Sequence, residues 1–241
     1  MPGGYIGLHT GLITKSETES ELASVIGHEI AHVTQRHLAR RLERRKELSI
    51  PSLAAFAAAI IIAAKSRNSD TGIGALMGAQ GLAQQALINH TRSNEAEADR
   101  IGISTLYKAG FDTKGAITFF EKMQENSGYY SDAFEFLRTH PLSRSRITDA
   151  RLRAGEYPRR RISDPLKYHL IKEKVRALTS KINPVTIQRA ETNYKNGKFK
   201  TSAQLYGHAI FMIRAKKYDA AEKILNGLRF SNIKEPAFAI A

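Results

Sequence analysis

His28-Glu29-Ile30-Ala31-His32 sets two imidazoles four residues apart, with a carboxylate beside the first. On an α-helix four residues advance about 400°, so both rings leave the same face and can share one cation, while Glu29 lies about 100° round, beside it. Two histidines, a carboxylate and an open position are the parts of a metal-assisted hydrolytic site, and zinc, one ion per chain, is the expected metal. The 241 residues include no cysteine, which excludes disulfides and thiolate ligands and leaves only histidine and carboxylate to hold the ion. His37 follows His28 by nine residues, about 180° round a continuous helix, and is read as a surface residue outside the site. The third ligand must therefore come from elsewhere. Asn94-Glu95-Ala96-Glu97-Ala98-Asp99 offers Glu95 and Asp99 on one helix face, with Glu97 about 200° away from Glu95. Glu95 can ligate the metal, and Asp99 can accept the spare N–H of a ligand histidine and fix its tautomer. Acidic residues at a helix start also complement the helix dipole, so it is the pairing with the two histidines that makes this a candidate site.

These side chains need helices to aim them. Ser16-Glu17-Thr18-Glu19 reads as a capping box, and residues 17–48 hold one glycine, Gly27, and no proline. One long helix is expected there. Its first half is apolar (Leu22, Val25, Ile26, Ile30) and its second half basic (Arg40, Arg41, Arg44, Arg45), which separates a core end from a solvent end. Pro51 should open the next segment, an Ala/Ile run over 53–64 that is shorter than the roughly 20 residues a membrane span requires. A buried helix is expected, the alternative being a mobile or membrane-touching lid. After a loop at 66–71, residues 72–88 complete a hairpin, with Gly74, Gly78 and Gly81 spaced to allow close helix approach. Ser93 or Asn94 should cap a helix closed by Gly110, and Asp112 should cap another over 113–126 that buries Phe119, Phe120 and Met123. A short helix over 131–138 and a further one reaching Ala154 follow. Residues 5–8, Tyr-Ile-Gly-Leu, read as a short strand.

Residues 155–165 contain two prolines and three consecutive arginines and interrupt every periodic pattern, which makes them the best boundary. Beyond lie helical segments over 166–178, 185–196, 201–215 and 218–228. Tyr194, Gly197, Phe199, Tyr206 and Ala209 fall at the spacing of a tetratricopeptide hairpin, echoed by Tyr218 and Ala221. Apolar residues at 42% and charged residues at 25% are ordinary globular values and exclude a wholly disordered chain or a polytopic membrane protein. The net charge of +14 invites a nucleic-acid reading. The excess base, however, gathers on the second half of the long helix and over 138–161, without interleaved aromatics, so solvated faces and ion pairs are expected and no nucleic acid. The N-terminus lacks a basic region followed by an apolar one, and both ends are expected to be processed or cut.

The Pro-Gly-Gly-Tyr-Ile segment, His28-Glu29-x-x-His32 and Glu95-x-x-x-Asp99 together resemble the HtpX/Ste-type zinc metallopeptidases. Thr139-His140-Pro141-Leu142, with Arg146 six residues after the histidine, is similar to the periplasmic branch, whose peptidase domain is followed by tetratricopeptide repeats. The resemblance implies a mainly α fold: a zincin-like metallopeptidase domain with a short edge strand or small sheet over 1–157, a linker and connecting helix over 158–184, and tetratricopeptide-like hairpins over 185–241. It makes His28, His32 and Glu95 zinc ligands and Glu29 the general base. His140 becomes a fourth ligand or a residue facing the transition state, and Arg146 a candidate oxyanion partner.

The implied reaction is endopeptidase cleavage in which Glu29 activates a zinc-bound water. Substrate would pair its backbone with residues 5–8, a reader suited to unfolded or misassembled envelope proteins in the periplasm. Outer-membrane assembly machinery, met through the repeats, and a membrane surface are the other partners implied. The competing class is a chaperone-like quality-control adaptor that works mainly through its helical repeats.

Overall fold

The computed structural model describes residues 2–65, 69–125, 136 and 139–230. After a single 3-10 turn at Pro2–Gly4 the chain is helical: α1 (Thr10–Lys15), α2 (Glu19–Thr34), α3 (His37–Lys65), α4 (Ser69–Lys108), α5 (Lys114–Glu125), α6 (Arg144–Gly155), α7 (Leu166–Thr179), α8 (Pro184–Lys195), α9 (Ser202–Arg214) and α10 (Tyr218–Phe230). No strand occurs among the described residues, so the edge strand expected at 5–8 is instead an irregular segment. A strand exists only through pairing, and the elements around this segment are helices that have already used their backbone groups.

The cap of α2 is Thr18, whose Oγ1 accepts from the Glu21 N–H at 3.1 Å, while Glu21 Oε2 accepts from the Glu17 N–H at 2.7 Å. The start is thus shifted from the box expected at Ser16. Glu21 is buried and is held by Lys122 of α5 at 2.7 Å. The expected single helix over 17–48 is two helices, because Arg36 adopts a left-handed conformation (φ 53) that interrupts the i→i−4 ladder. Pro51, in contrast, begins nothing. It lies inside α3, on an exposed turn where water can satisfy the Glu47 carbonyl that proline leaves without a donor.

The segments over 72–88 and 94–109 likewise form one helix, α4, which packs along α3 as the expected hairpin. The hairpin's outer surface is not buried. Leu53, Phe56, Ile60, Ile61, Met77 and Leu82 are all exposed, because the two arms cover only each other's inner sides. No described helix is long and apolar enough to cross a membrane. The close approach expected at Gly74, Gly78 and Gly81 is also not seen, since among the described residues a Cβ on any of them would meet nothing within 4 Å. It occurs instead where α2 crosses α4. A Cβ on Gly27 would lie 3.0 Å from the Gly102 carbonyl oxygen, and one on Gly102 would lie 3.0 Å from the His28 nitrogen. Backbone therefore rests on backbone one residue from His28 and three from Asp99, which is what brings the two chemical motifs together.

Helix α5 starts as expected from Asp112, whose carboxylate accepts from the Lys114 N–H at 3.0 Å, and Gly110 closes α4 with φ +94. Val25, Ile103, Leu106, Phe119, Phe120, Met123 and Ile147 form the core beneath α2, α4, α5 and α6. The helix expected over 131–138 lies outside the described residues, apart from Phe136. A second core joins α7 to α9 and α10 through Leu170, Tyr206, Met212, Ile224 and Leu228. There His208 stacks on Tyr194 and Phe199, and Gly197 takes the left-handed turn between α8 and α9. The segment expected to act as a linker is docked: the Tyr168 hydroxyl donates to the Ser16 carbonyl at 2.9 Å, and Asp164 accepts from the Glu19 N–H at 2.8 Å. Several basic residues are consumed in pairs, including Arg44 with Glu47, Arg151 with Glu121 and Arg153 with Asp149.

Candidate metal centre

Helix α2 presents His28 and His32 on one face, and their Nε2 atoms lie 2.9 Å apart. Helix α4 brings Glu95 against them, with Oε1 3.3 Å from His32 Nε2 and Oε2 3.4 Å from His28 Nε2. His140 enters from the turn before α6. Its Nδ1 is 3.2 Å from His28 Nε2 and 3.1 Å from both Glu95 oxygens. Four residues from three parts of the chain thus point one ligand atom each into a common volume. In a tetrahedron whose vertices lie about 2.0–2.1 Å from the centre, as in zinc sites, the edges are about 3.3–3.4 Å. The separations among neighbouring pairs, 2.9 to 3.4 Å, are of that size, and all four ligand atoms lie within 4.8 Å of one another.

The donor set itself demands a cation. Asp99 Oδ1 stands 2.9 Å from His28 Nδ1, although off the line of the ring N–H, so the proton of a neutral His28 belongs on Nδ1 and its Nε2 carries a lone pair. That lone pair faces a carboxylate and two further imidazoles, an arrangement of acceptors that only a metal ion or a proton makes favourable. The same demand shows in the acid–base balance. Burial alone would push His140 down, but its hydrogen bonds to Glu29 and Glu95 and their charges bring it up to about 9. Burial pushes Glu95 up, and the hydrogen bonds of His140, His28 and His32 outweigh it, holding the carboxyl well below its ordinary range. These residues fit a divalent metal.

Glu29 stands beside the cluster, its Oε1 3.2 Å from His140 Nε2. Burial raises its pKa, while the hydrogen bond and charge of His140, then the charges of His28 and His32, lower it further, so it is ionised near neutrality. It lines a cleft of about 790 Å³ together with residues 5–8, His32, Val33, Leu42 and His140.

Arg146 occupies a different place from that of an oxyanion partner. Its Nε and Nη2 donate to the two Asp99 oxygens at 2.7 and 2.8 Å, and its Nη1 donates to the Pro141 carbonyl at 2.7 Å and lies 3.1 Å from Glu95 Oε2. The guanidinium is buried behind the carboxylates and its donors are committed there. Burial pushes its pKa down and Asp99 and Glu95 push it up more strongly, so it stays charged. Asp99, raised by burial but lowered more by Arg146 and His28, stays ionised between them.

Two residues set aside on helical geometry also belong here. His37, expected at the surface, is buried, with Nδ1 2.8 Å from His32 Nδ1 and Nε2 3.2 Å from Glu97 Oε2. The expected 180° holds only for an unbroken helix, and the left-handed Arg36 turns α3 back so that its first residue meets α2. The residue types carried a signal, a third histidine five positions after the second. Its direction could not be read without the break.

Residues 1–154 match the family model described as peptidase family M48. The chain is 37% identical over 162 residues to the beta-barrel assembly-enhancing proteases of Escherichia coli (strain K12) and Yersinia pestis, covering 67% of this chain and 33% of each relative. It is 41% identical over 231 residues to a Vibrio cholerae serotype O1 protein given that name provisionally, covering 94% of this chain and 47% of that one. The chain thus spans about half the length of the Vibrio relative and a third of the others. A metal-ready cluster built on His28-Glu29-x-x-His32, within a match that takes in well over half of the sequence, leaves one assignment: the chain belongs to peptidase family M48.

Proposed function

We propose that this chain is a zinc-dependent endopeptidase acting on unfolded or misassembled cell-envelope proteins in the periplasm, with residues 1–157 as its peptidase unit and the C-terminal helices as tetratricopeptide-like hairpins. The observation that carries the reading is the convergence of His28, His32, Glu95 and His140 on one volume with the Glu29 carboxylate at its edge. Two or three imidazoles with one carboxylate favour zinc over harder ions. When bound, such a metal lowers the pKa of a water toward about 7 and polarises a peptide carbonyl.

The protein's own groups do the rest. Glu29, ionised and accessible from the cleft, accepts the proton of the attacking water and delivers it to the leaving amine. Asp99 keeps the proton of His28 on Nδ1, and Arg146 holds Asp99, Glu95 and the Pro141 carbonyl in one fixed frame. Residues 5–8 line the cleft with exposed backbone that an extended peptide could pair with, which favours unfolded chains with little sequence preference. The relatives named for β-barrel assembly support an envelope substrate.

Metal analysis of the purified chain, with a casein-type cleavage assay before and after a strong chelator, tests the reading. One zinc per chain and activity lost on chelation and regained with zinc are expected; cleavage indifferent to chelation would exclude it.

His140 makes the resting site latent in this reading, since it supplies a fourth donor and also engages Glu29. His140→Ala should keep its zinc, held by the remaining three donors, and cleave casein faster than the parent. Unchanged or lost activity in a folded, metal-loaded variant would show that His140 is needed for the reaction instead.

A further inference from the structure

Given the metal centre proposed above, we infer that His37 is a positioning residue for His32, and that Glu97 and Arg40 complete a relay which sets the tautomer of that ring. Asp99 serves His28, but it does not reach His32. A ligand histidine usually gives its second N–H to a carboxylate or carbonyl, which fixes ring orientation and raises ligand basicity. For His32 the second nitrogen faces another ring, the Nδ1 of His37, at 2.8 Å.

The proton positions along this chain follow from its far end. Glu97 is held by Arg40 and by His37, its carboxylate accepts only, and so the His37 Nε2, 3.2 Å from Oε2, carries a proton. A neutral His37 then has its lone pair on Nδ1 and accepts from His32 Nδ1–H. That leaves the lone pair of His32 on Nε2, the atom that lies 2.9 Å from His28 Nε2 and 3.3 Å from Glu95 Oε1. The opposite order would place an N–H on His32 Nε2, where it blocks ligation. Arg40 also reaches Asn94 Oδ1 at 3.2 Å, which ties the start of α3 to α4 beside Glu95. The relay exists because the chain breaks at Arg36. Had α2 continued, His37 would face away from His32 and Glu97 would have no ring to hold.

Zinc competition against a chromophoric chelator, with ¹⁵N shifts of the His32 imidazole in the metal-free chain, tests this without relying on activity. His37→Phe keeps a flat ring and removes the acceptor. It should weaken zinc binding by about 10–100-fold and move the His32 proton from Nδ1 toward Nε2. Glu97→Leu, at a partly exposed position, removes the oxygen that accepts from both His37 and Arg40 and so frees the His37 proton from Nε2. It should give the same tautomer shift with a smaller loss of affinity, and Glu97→Asp should restore both. If His37→Phe does not fold, Glu97→Leu decides alone. Folded variants with zinc affinity within about twofold of the parent and His32 still protonated on Nδ1 would overturn the relay. A parent chain that binds no zinc would instead overturn the metal centre on which it rests.

Discussion

Glu29→Gln is expected to lower peptide cleavage by about 10²–10⁴-fold while leaving zinc content unchanged. The glutamine amide keeps the size and polarity of the side chain but cannot take a proton from water at neutral pH, and it cannot deliver one to the leaving amine. The ligand cluster is untouched, because Glu29 reaches it only through His140 Nε2, whereas the His140 atom facing Glu95 and His28 is Nδ1. Cleavage kinetics and metal analysis on the same preparation separate the two effects. Parental activity in the zinc-loaded variant would remove Glu29 from the mechanism. The same variant addresses the adaptor class in cells: full biological function without cleavage would place the protein's work in binding through its helices.

Arg146→Met should unfold the metal-free chain more easily, by about 3–5 kcal/mol, because it leaves two buried carboxylates without their cation. For a chain of this size that corresponds to a melting temperature lower by about 6–20 °C. Asp99 loses both parallel hydrogen bonds, Glu95 its neighbouring charge, and the Pro141 carbonyl the donor that holds the turn after His140. Lysine would restore the charge but not the fork, so Arg146→Lys should recover only part of the loss. Thermal denaturation beside steady-state kinetics distinguishes the two roles open to this residue. An oxyanion partner would lose rate at constant stability, whereas the geometry here leads us to expect a stability loss first.

Much of the site could be read along the chain because it depends on short-range helix geometry. His28 and His32 share a face at any four-residue spacing, and so do Glu95 and Asp99, so each pair was legible before any contact was known. The cap at Asp112 and the glycine stop at Gly110 are local as well. Reasoning from a continuous helix failed where the helix was not continuous. A left-handed Arg36 costs only about 1–2 kcal/mol, and the Arg40 and His37 contacts to Glu97 that stabilise the break lie some 60 residues away in sequence. The exposed hairpin misled for a related reason: an Ala/Ile run states what a helix could bury against, and only the neighbouring elements decide whether anything is there.

By itself the sequence determined which histidines and carboxylates could share one metal, which carboxylate could stand behind them, and a mainly helical chain, since these follow from residue type and a 100° turn per residue. Tertiary structure alone decided that Gly27 and Gly102 let α2 and α4 touch, that His140 reaches the His28, His32 and Glu95 group, that Arg146 lies behind it and that His37 packs against His32. Those outcomes turn on distances between distant segments, and helical periodicity contains no information about them.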